Sequence, residues 1–548
     1  MSDRQFAAGS GLVVEKLEAQ QIEALVLTGK VWGFLKYHHP AITAGNMHWD
    51  FELLRKLPSI LQTHEIAEVR KLLVEWIDAL GTVPACKQCT GLESKNLHLP
   101  PRIDWIRDDK WLGSELSSRL QAVHRNRAQE RQFYVSLAPD VGNPVFENEL
   151  AYARVRFPDP GFQILAIFRF WNMIEYWFPY RDLIDEDWDV VLRDTLIRAA
   201  PPLDNTAFQR ELMRFVARAD DGHANLWDQP AVRQPAGECQ LPVSLRYLEG
   251  KFVVEDLLAD DAAAHLFRAG DVIVALDGRD VAGIANEVRD FYGASNESAL
   301  MNDIAVNLTR GRCGAVPVRI RRAAEIQFDA QRVATGTLRL DNTTRNDRAG
   351  ETLQMLSPTV AYLKLSAIQA ADVRGYMDRA TDAKALIVDI RNYPSAYVVY
   401  ALGNLLIEKT TPFATVSIAS LSNPGAFHFR AQSILHPEKP RFGGRVLILV
   451  DETSVSMSEF TAMALRATPR AQIVGMKTAG ADGDVSRIPL PGGFSAAISG
   501  IGIFYPDRRR TQRVGVALDV ECPNTITGLR EGRDETLDCA LRELAMNP

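Results

Sequence analysis

RVLILVDETSVSMSEFTAMALRATPRAQIVG (residues 445–475) holds two short apolar runs, VLILV and IVG, on either side of a stretch with helical spacing, SEFTAMALRA. A short run without polar alternation suits a strand covered on both faces, and a helix between two such runs suits a crossover between parallel strands. The alternation extends upstream through TVAYLKL, ADVRGYMDRATD, ALIVDI and AYVVYALGNLLIE. Residues 340–545 therefore read as an α/β core on a largely parallel sheet, ending in strand, turn and the helix RDETLDCALREL.

In open α/β sheets, ligands bind beyond the carboxyl ends of the strands, where helix N-termini point. Two loops leave such ends here, DIRNYPSA after 385–390 and DETSVSMSE after 445–450. A serine in the first turn of the second helix sits among unsatisfied backbone N–H groups in a positive field, which suits a nucleophile beside an oxyanion hole. The same residues, Ser456-Met-Ser-Glu459, also spell a capping box ahead of an apolar helix, which needs no chemistry. Local pattern leaves both readings open.

Working outward, 548 residues exceed what one core supports, so several domains are expected. The segment 243–324 shows short strands and turns around AGDVIVALDG (269–278), a buried strand closed by an Asp-Gly turn. A Pro- and Gln-rich linker, 229–242, precedes it. Upstream lies an internal repeat: VWGFLKYHHPAITAGNMHWDFELL (31–54) aligns without gaps on FWNMIEYWFPYRDLIDEDWDVVLR (170–193), sharing Trp32/Trp171, Tyr37/Tyr176, Pro40/Pro179, Trp49/Trp188, Asp50/Asp189 and Leu53/Leu192. Each copy reads as two helices whose aromatic stripe packs a core. His38 and His39 have no counterpart in the second copy and read as structural or surface residues. The expected divisions are a helical domain over 1–135, a second helical segment over 136–235, the β-rich domain over 243–324 and the core over 340–545.

A formal net charge of −7 gives no electrostatic ground for a nucleic-acid partner, and no window approaches an unbroken membrane span. The six cysteines are sparse and scattered, unlike a disulfide framework, and Cys86-Lys-Gln-Cys89 lacks the second half of a zinc site. No metal or cofactor is expected. The first residues lack a secretory pattern, so a cytoplasmic location is expected if Met1 is native, and a periplasmic or secreted one if a signal has been removed.

The stretch from VLILVDETSVSMSEF to the RA-x-x-VG-x-x-T-x-G pattern resembles the carboxyl-terminal processing (tail-specific) peptidases and their tricorn-type relatives. So do LIVDIR, QRVGVALDVE and the segment 243–324, which resembles a PDZ domain although its carboxylate-binding loop is not evident. The resemblance covers about 160–545 and implies a crotonase-like α/β core with Ser456 as nucleophile. In the processing branch a lysine acts as base; its position is Ala481 here, and Lys477 lies nearby. The tricorn branch uses a histidine ahead of the PDZ position, which implies His223 in the Asp-Gly-His turn of ADDGHANLWD. That branch places a serine before the histidine and a glutamate further on, where this chain has Gly222 and Gln512; Asp221 or Asp482 is the alternative support. The oxyanion donors implied are the N–H of Met457 and one from Ser395 or Ala396, since Pro394 has none.

The expected function is a serine peptidase acting on a peptide or protein substrate through an acyl-enzyme on Ser456. The alternatives are an inactive peptide- or ligand-binding protein on the same scaffold and a small-molecule esterase or amidase.

Overall fold

The computed structural model describes residues 3–87, 89, 91–129, 132–227, 232–260, 262–339, 346–439 and 441–546. Parts of the expected linker (229–231) and the first residues of the expected core (340–345) lie outside the described residues. The chain divides into two compact units, one made of residues 1–229, 417–430 and 484–502, the other of 230–416, 431–483 and 503–548.

The repeat organises the first unit. Helices α1 (Ala19–His38), α2 (Trp49–Gln62) and α3 (Ile66–Ala79) are followed by α4 (Pro160–Trp177), α5 (Trp188–Ala199) and α6 (Asn205–Ala217). The spacing that relates Trp32 to Trp171 also relates the first residues of α2 and α5 and of α3 and α6, so the repeat extends over three helices rather than two. Each helix of the second copy starts at an aspartate, Asp159, Asp187 or Asp204, whose carboxylate accepts from first-turn N–H groups that the helix cannot satisfy.

The shared tryptophans form one latch in both copies. Trp32 and Trp49 each donate an indole N–H to the other's carbonyl, at 3.3 and 3.0 Å, and Trp171 and Trp188 do the same at 2.7 and 3.1 Å. Trp49 then stacks on Trp76 of α3, as Trp188 stacks on Phe215 of α6. An indole can enter a core this way because its N–H finds a partner as its rings are buried.

The copies meet along α1 and α4, and they meet counterpart to counterpart. Gly29 faces Phe168, Gly33 faces Asn172, and Tyr37 packs edge-on to Tyr176. Residues touching their own repeat mates mark a pseudo-two-fold axis between the helices, as in an isologous dimer. Glycine is required at the crossing, because a Cβ on Gly33 would lie 1.8 Å from Asn172. Ion pairs follow the same symmetry: Lys30 binds Asp189 and its counterpart Arg169 binds Asp50, each at 2.6 Å.

In the second unit, the core sheet runs in the order 353–357, 360–364, 385–389, 445–450, 471–475, 520–521. Its first pair is antiparallel and every later pair parallel, as the apolar runs imply. Tyr362, Ile387, Leu447, Leu449 and Val474 are buried in this sheet, each aliphatic side chain contributing about 1.5–3 kcal/mol. Residues 239–334 form a separate, mainly antiparallel sheet. There the strand Val272–Leu276 turns through Asp277 and Gly278, both at positive φ (53° and 73°), the conformation expected of an Asp-Gly hairpin turn.

The cysteine reading needs correction. All six pair, as Cys86–Cys89, Cys239–Cys313 and Cys522–Cys539. Spacing along the chain hides this because two of the bridges join segments that meet only in the fold. His38 and His39 are buried rather than on the surface: His38 Nδ1 bonds the Phe34 carbonyl, and His39 accepts from the Ala41 N–H. Among the described residues no helix is long and apolar enough to cross a membrane.

Candidate active site

Ser456 lies in the second unit, where the strand Arg445–Val450 gives way to helix α7 (Met457–Arg466). The loop between them is pinned to the neighbouring strand end: Ser454 Oγ donates to the Ile390 carbonyl and Thr453 Oγ1 to the Arg391 carbonyl, at 3.1 and 2.6 Å. Asp451 and Glu452 hold Arg246 in a buried ion pair at 3.0 and 2.8 Å. These bonds use up the hydroxyls of Thr453 and Ser454, and they separate Ser454 from Ser456 in role.

The backbone at Ser456 has φ +54° and ψ −117°, a region almost reserved for glycine. Such a conformation costs on the order of 1–3 kcal/mol and persists only where surrounding bonds enforce it. Here the Ser456 N–H donates to the Ala481 carbonyl at 2.9 Å, and the Ala479 N–H to the Ser454 carbonyl at 3.0 Å. A serine on a sharp strand-to-helix turn presents its Oγ outward at the strand end, the geometry of a nucleophile elbow.

The capping box does not form. Ser456 makes no side-chain cap bond, and its hydroxyl has a long 3.4 Å bond to the Gly483 carbonyl. Glu459 turns instead to the 478–481 segment, accepting from Thr478 Oγ1 at 2.6 Å and from the N–H groups of Gly480 and Ala481 at 2.9 Å each. Burial pushes the Glu459 carboxyl up to about 7 against those donors. Glu459 thus holds the segment whose Ala481 carbonyl in turn holds Ser456. Ser458 is buried in the first turn of α7.

Of the expected oxyanion donors, Met457 is the first residue of α7, so its N–H is one the helix cannot satisfy. Ser395 is a correction: its N–H already donates to the Leu365 carbonyl at 2.9 Å, and its hydroxyl to the Ile368 carbonyl at 2.6 Å. Ala396 is left as the candidate from that loop. Asp482 is buried, accepts from the Gly483 N–H, and has its carboxyl raised well above the usual range by burial and by nearby Glu459. Gln512 is buried and donates to Ser295 Oγ at 3.1 Å. Ala481 is buried and Lys477 is exposed.

His223 lies in the first unit, in the loop after α6. The strand Asn225–Leu226 pairs with Ala497 and Ala496, which carries the Asp-Gly-His turn to the end of the strand Phe494–Ser499. There His223 Nδ1 lies 2.8 Å from Ser499 Oγ, and Ser499 Oγ donates to Asp221 Oδ1 at 2.8 Å. Asp221 Oδ2 accepts the Ser499 N–H at 2.7 Å, and Oδ1 the His223 N–H at 3.3 Å. Burial pulls the imidazole below its usual value, against Asp221 and Asp484, which raise it. Asp221 is therefore the expected support that joins His223, while Gln512 and Asp482 are engaged in the other unit. Ser499 is absent from the sequence-based candidates: it belongs to no motif and lies 276 residues from His223.

Residues 359–522 match peptidase family S41. No curated protein matches the chain in sequence. Among solved structures, a CPAF mutant is similar at 14% identity and a TM-score of 0.58, over 71% of this chain and 98% of that one. Mature CPAF complexed with lactacystin is similar at 13% identity and 0.54, with the same shares. The photosystem II D1 C-terminal processing protease gives 17% identity and 0.39, over 68% of this chain and 97% of that one. The CPAF likenesses bear on the fold, and the family match falls on the sheet and loops that carry Ser456. The chain thus carries a serine-type peptidase domain of family S41.

Proposed function

We propose that the chain hydrolyses peptide bonds through an acyl-enzyme on Ser456, with His223 as general base. His223 Nε2 takes the Ser456 Oγ proton as Oγ attacks the carbonyl, then gives it to the leaving amine; water repeats the cycle to free the enzyme. The N–H groups of Met457 and Ala396 receive the oxyanion. The observation that carries this reading is Ser456 itself, held at φ +54° with a hydroxyl that caps nothing. A backbone kept strained at a strand end, when a glycine would relax it, points to a side chain retained for use. A lowered imidazole pKa keeps His223 neutral, and so able to accept a proton, near pH 7.

The test is a fluorophosphonate probe with the labelled peptide mapped by mass spectrometry, alongside hydrolysis of an unstructured protein such as casein. Label on Ser456 and casein cleavage, both absent in Ser456→Ala, are expected. A folded wild type that takes no label favours a binding protein; label on Ser456 with ester but no peptide hydrolysis favours an esterase.

The pairing of every cysteine also supports residence in an oxidising compartment, because such bridges are rare in reducing ones. Fractionation of the native host with thiol alkylation before reduction checks this: protected cysteines in an exported fraction are expected, and alkylated cysteines in the cytosol contradict it.

A further inference from the structure

We infer that Ser499 and Asp221 form a hydroxyl-bridged relay that fixes His223 as the Nδ1–H tautomer and so leaves Nε2 as the proton acceptor. The inference rests on the reading of His223 as the base, and it assigns how that base is oriented.

Donor and acceptor bookkeeping carries the argument. An ionised carboxylate only accepts, and Asp221 accepts from the Ser499 hydroxyl, the Ser499 N–H and the His223 N–H. A serine hydroxyl has one proton. With that proton directed to Asp221 Oδ1 at 2.8 Å, Ser499 Oγ offers His223 Nδ1 only lone pairs, also at 2.8 Å. Nδ1 must then carry the hydrogen. His223 Nδ1 is 3.9 Å from Asp221 Oδ1, too far for a direct bond, so the hydroxyl is the link.

Burial makes the assignment firm. Ser499 and Asp221 are both fully buried, so bulk water does not compete for either group. Asp221 also takes the Ser499 N–H, which ties the carboxylate to the strand and not merely to a rotatable side chain. The serine that the resemblance would put directly before the histidine is Gly222 here, and a hydroxyl from the strand end occupies the role. No proton needs to travel along the relay. The Ser456 proton arrives at Nε2 and leaves from Nε2, while Nδ1–H stays on the ring and its bond strengthens as the ring becomes positive. The charged groups that face the ring are Asp221 and Asp484. Ser499 and Asp221 are positioning residues, acting through His223.

The direct test needs no substrate: ring ¹⁵N shifts of histidine-labelled full-length wild type, with His223 assigned by the loss of its signals in His223→Gln. Protonated Nδ1 and unprotonated Nε2 above the ring pKa are expected; an Nε2–H tautomer overturns the relay, whatever the activity. If the Nδ1–H form is found and Ser456 takes no label, the relay stands and the peptidase reading fails. In kinetics, Ser499→Ala is expected to lower kcat about 10- to 100-fold with KM changed less than about twofold, a smaller loss than breaking a direct carboxylate contact. Ser499→Thr, which keeps the hydroxyl, should recover most of it. Asp221→Asn removes a group that raises the ring pKa, so the acid limb of kcat/KM should move to lower pH as kcat falls. A fall in activity with an unmoved acid limb, or no recovery in a folded Ser499→Thr, reduces the pair to packing and contradicts the proposal.

Discussion

The two copies of the three-helix unit share a scaffold and differ in the loop at its end. Both have the reciprocal tryptophan latch, both stack its second tryptophan on an aromatic of the third helix, and each lends one half of a symmetric pair of salt bridges. Continuing the repeat spacing past the third helices sets Thr82 against Asp221 and Pro84 against His223. One copy ends in a loop with no titratable group at those two places; the other ends in the turn that reaches Ser499. Packing is thus common to both copies, and the proposed base belongs to one. A duplicated unit can diverge in this way because the latch stabilises the helices without constraining the loop beyond them.

The largest expected effect tests the shared part. Trp49→Ala and Trp188→Ala each empty a buried site and remove an indole hydrogen bond, so each should cost about 3–5 kcal/mol, read from urea unfolding. Equal losses sustain the equivalence of the copies, and a loss confined to one would break it.

The ion pairs should separate them. Asp50 is buried with Arg169, Lys36 and the Tyr152 hydroxyl, whereas the side chain of Asp189 is 50% exposed. Asp50→Asn leaves the buried Lys36 and Arg169 sharing Glu149, one negative charge short, and should cost about 3–5 kcal/mol, while Asp189→Asn should cost under about 1 kcal/mol. Burial disfavours the Asp50 carboxylate, but Lys36 and Arg169 outweigh it and hold its pKa below the usual range. A lowered folded pKa means stability present above about pH 4 and lost as pH falls below it. Unfolding midpoints between pH 7 and 3 should therefore fall less steeply in Asp50→Asn than in wild type.

A subtler expectation concerns the second copy's loop. Because burial lowers the His223 pKa, the acid limb of kcat/KM should fall below the ordinary histidine value of about 6.5. The smallest expected effect is none: Thr82→Asp with Pro84→His copies the residues without Ser499, and should restore no activity to His223→Ala. Recovery there would show that the loop alone suffices.

How much of this is legible in sequence depends on the range of each interaction. The parallel sheet shows because its strands are continuous apolar runs such as 385–390 and 445–450, and the repeat shows because two tryptophan pairs are rare enough to align. That a third helix belongs to each copy is not legible, since Val69/Phe208 and Trp76/Phe215 keep burial but not identity. Ser456 and His223 are reached through motifs. Ser499 is not, because a hydroxyl at the end of FSAAIS gains meaning only when the strand pairs with Asn225–Leu226. The same holds for Ser395, whose N–H is taken by a residue 30 positions away, and for the bridge between Cys239 and Cys313. The capping box misleads for a related reason: its four residues are local, but Glu459 is claimed by the distant 478–481 segment.

The central claim is that the second copy's loop supplies the base for Ser456. It is tested most directly by the second-order rate of fluorophosphonate labelling of Ser456 in wild type and in His223→Ala, with equal unfolding midpoints as the control for folding. A fall of at least about a thousandfold in His223→Ala is predicted, since a serine hydroxyl without its base is a poor nucleophile. An unchanged rate would contradict the account.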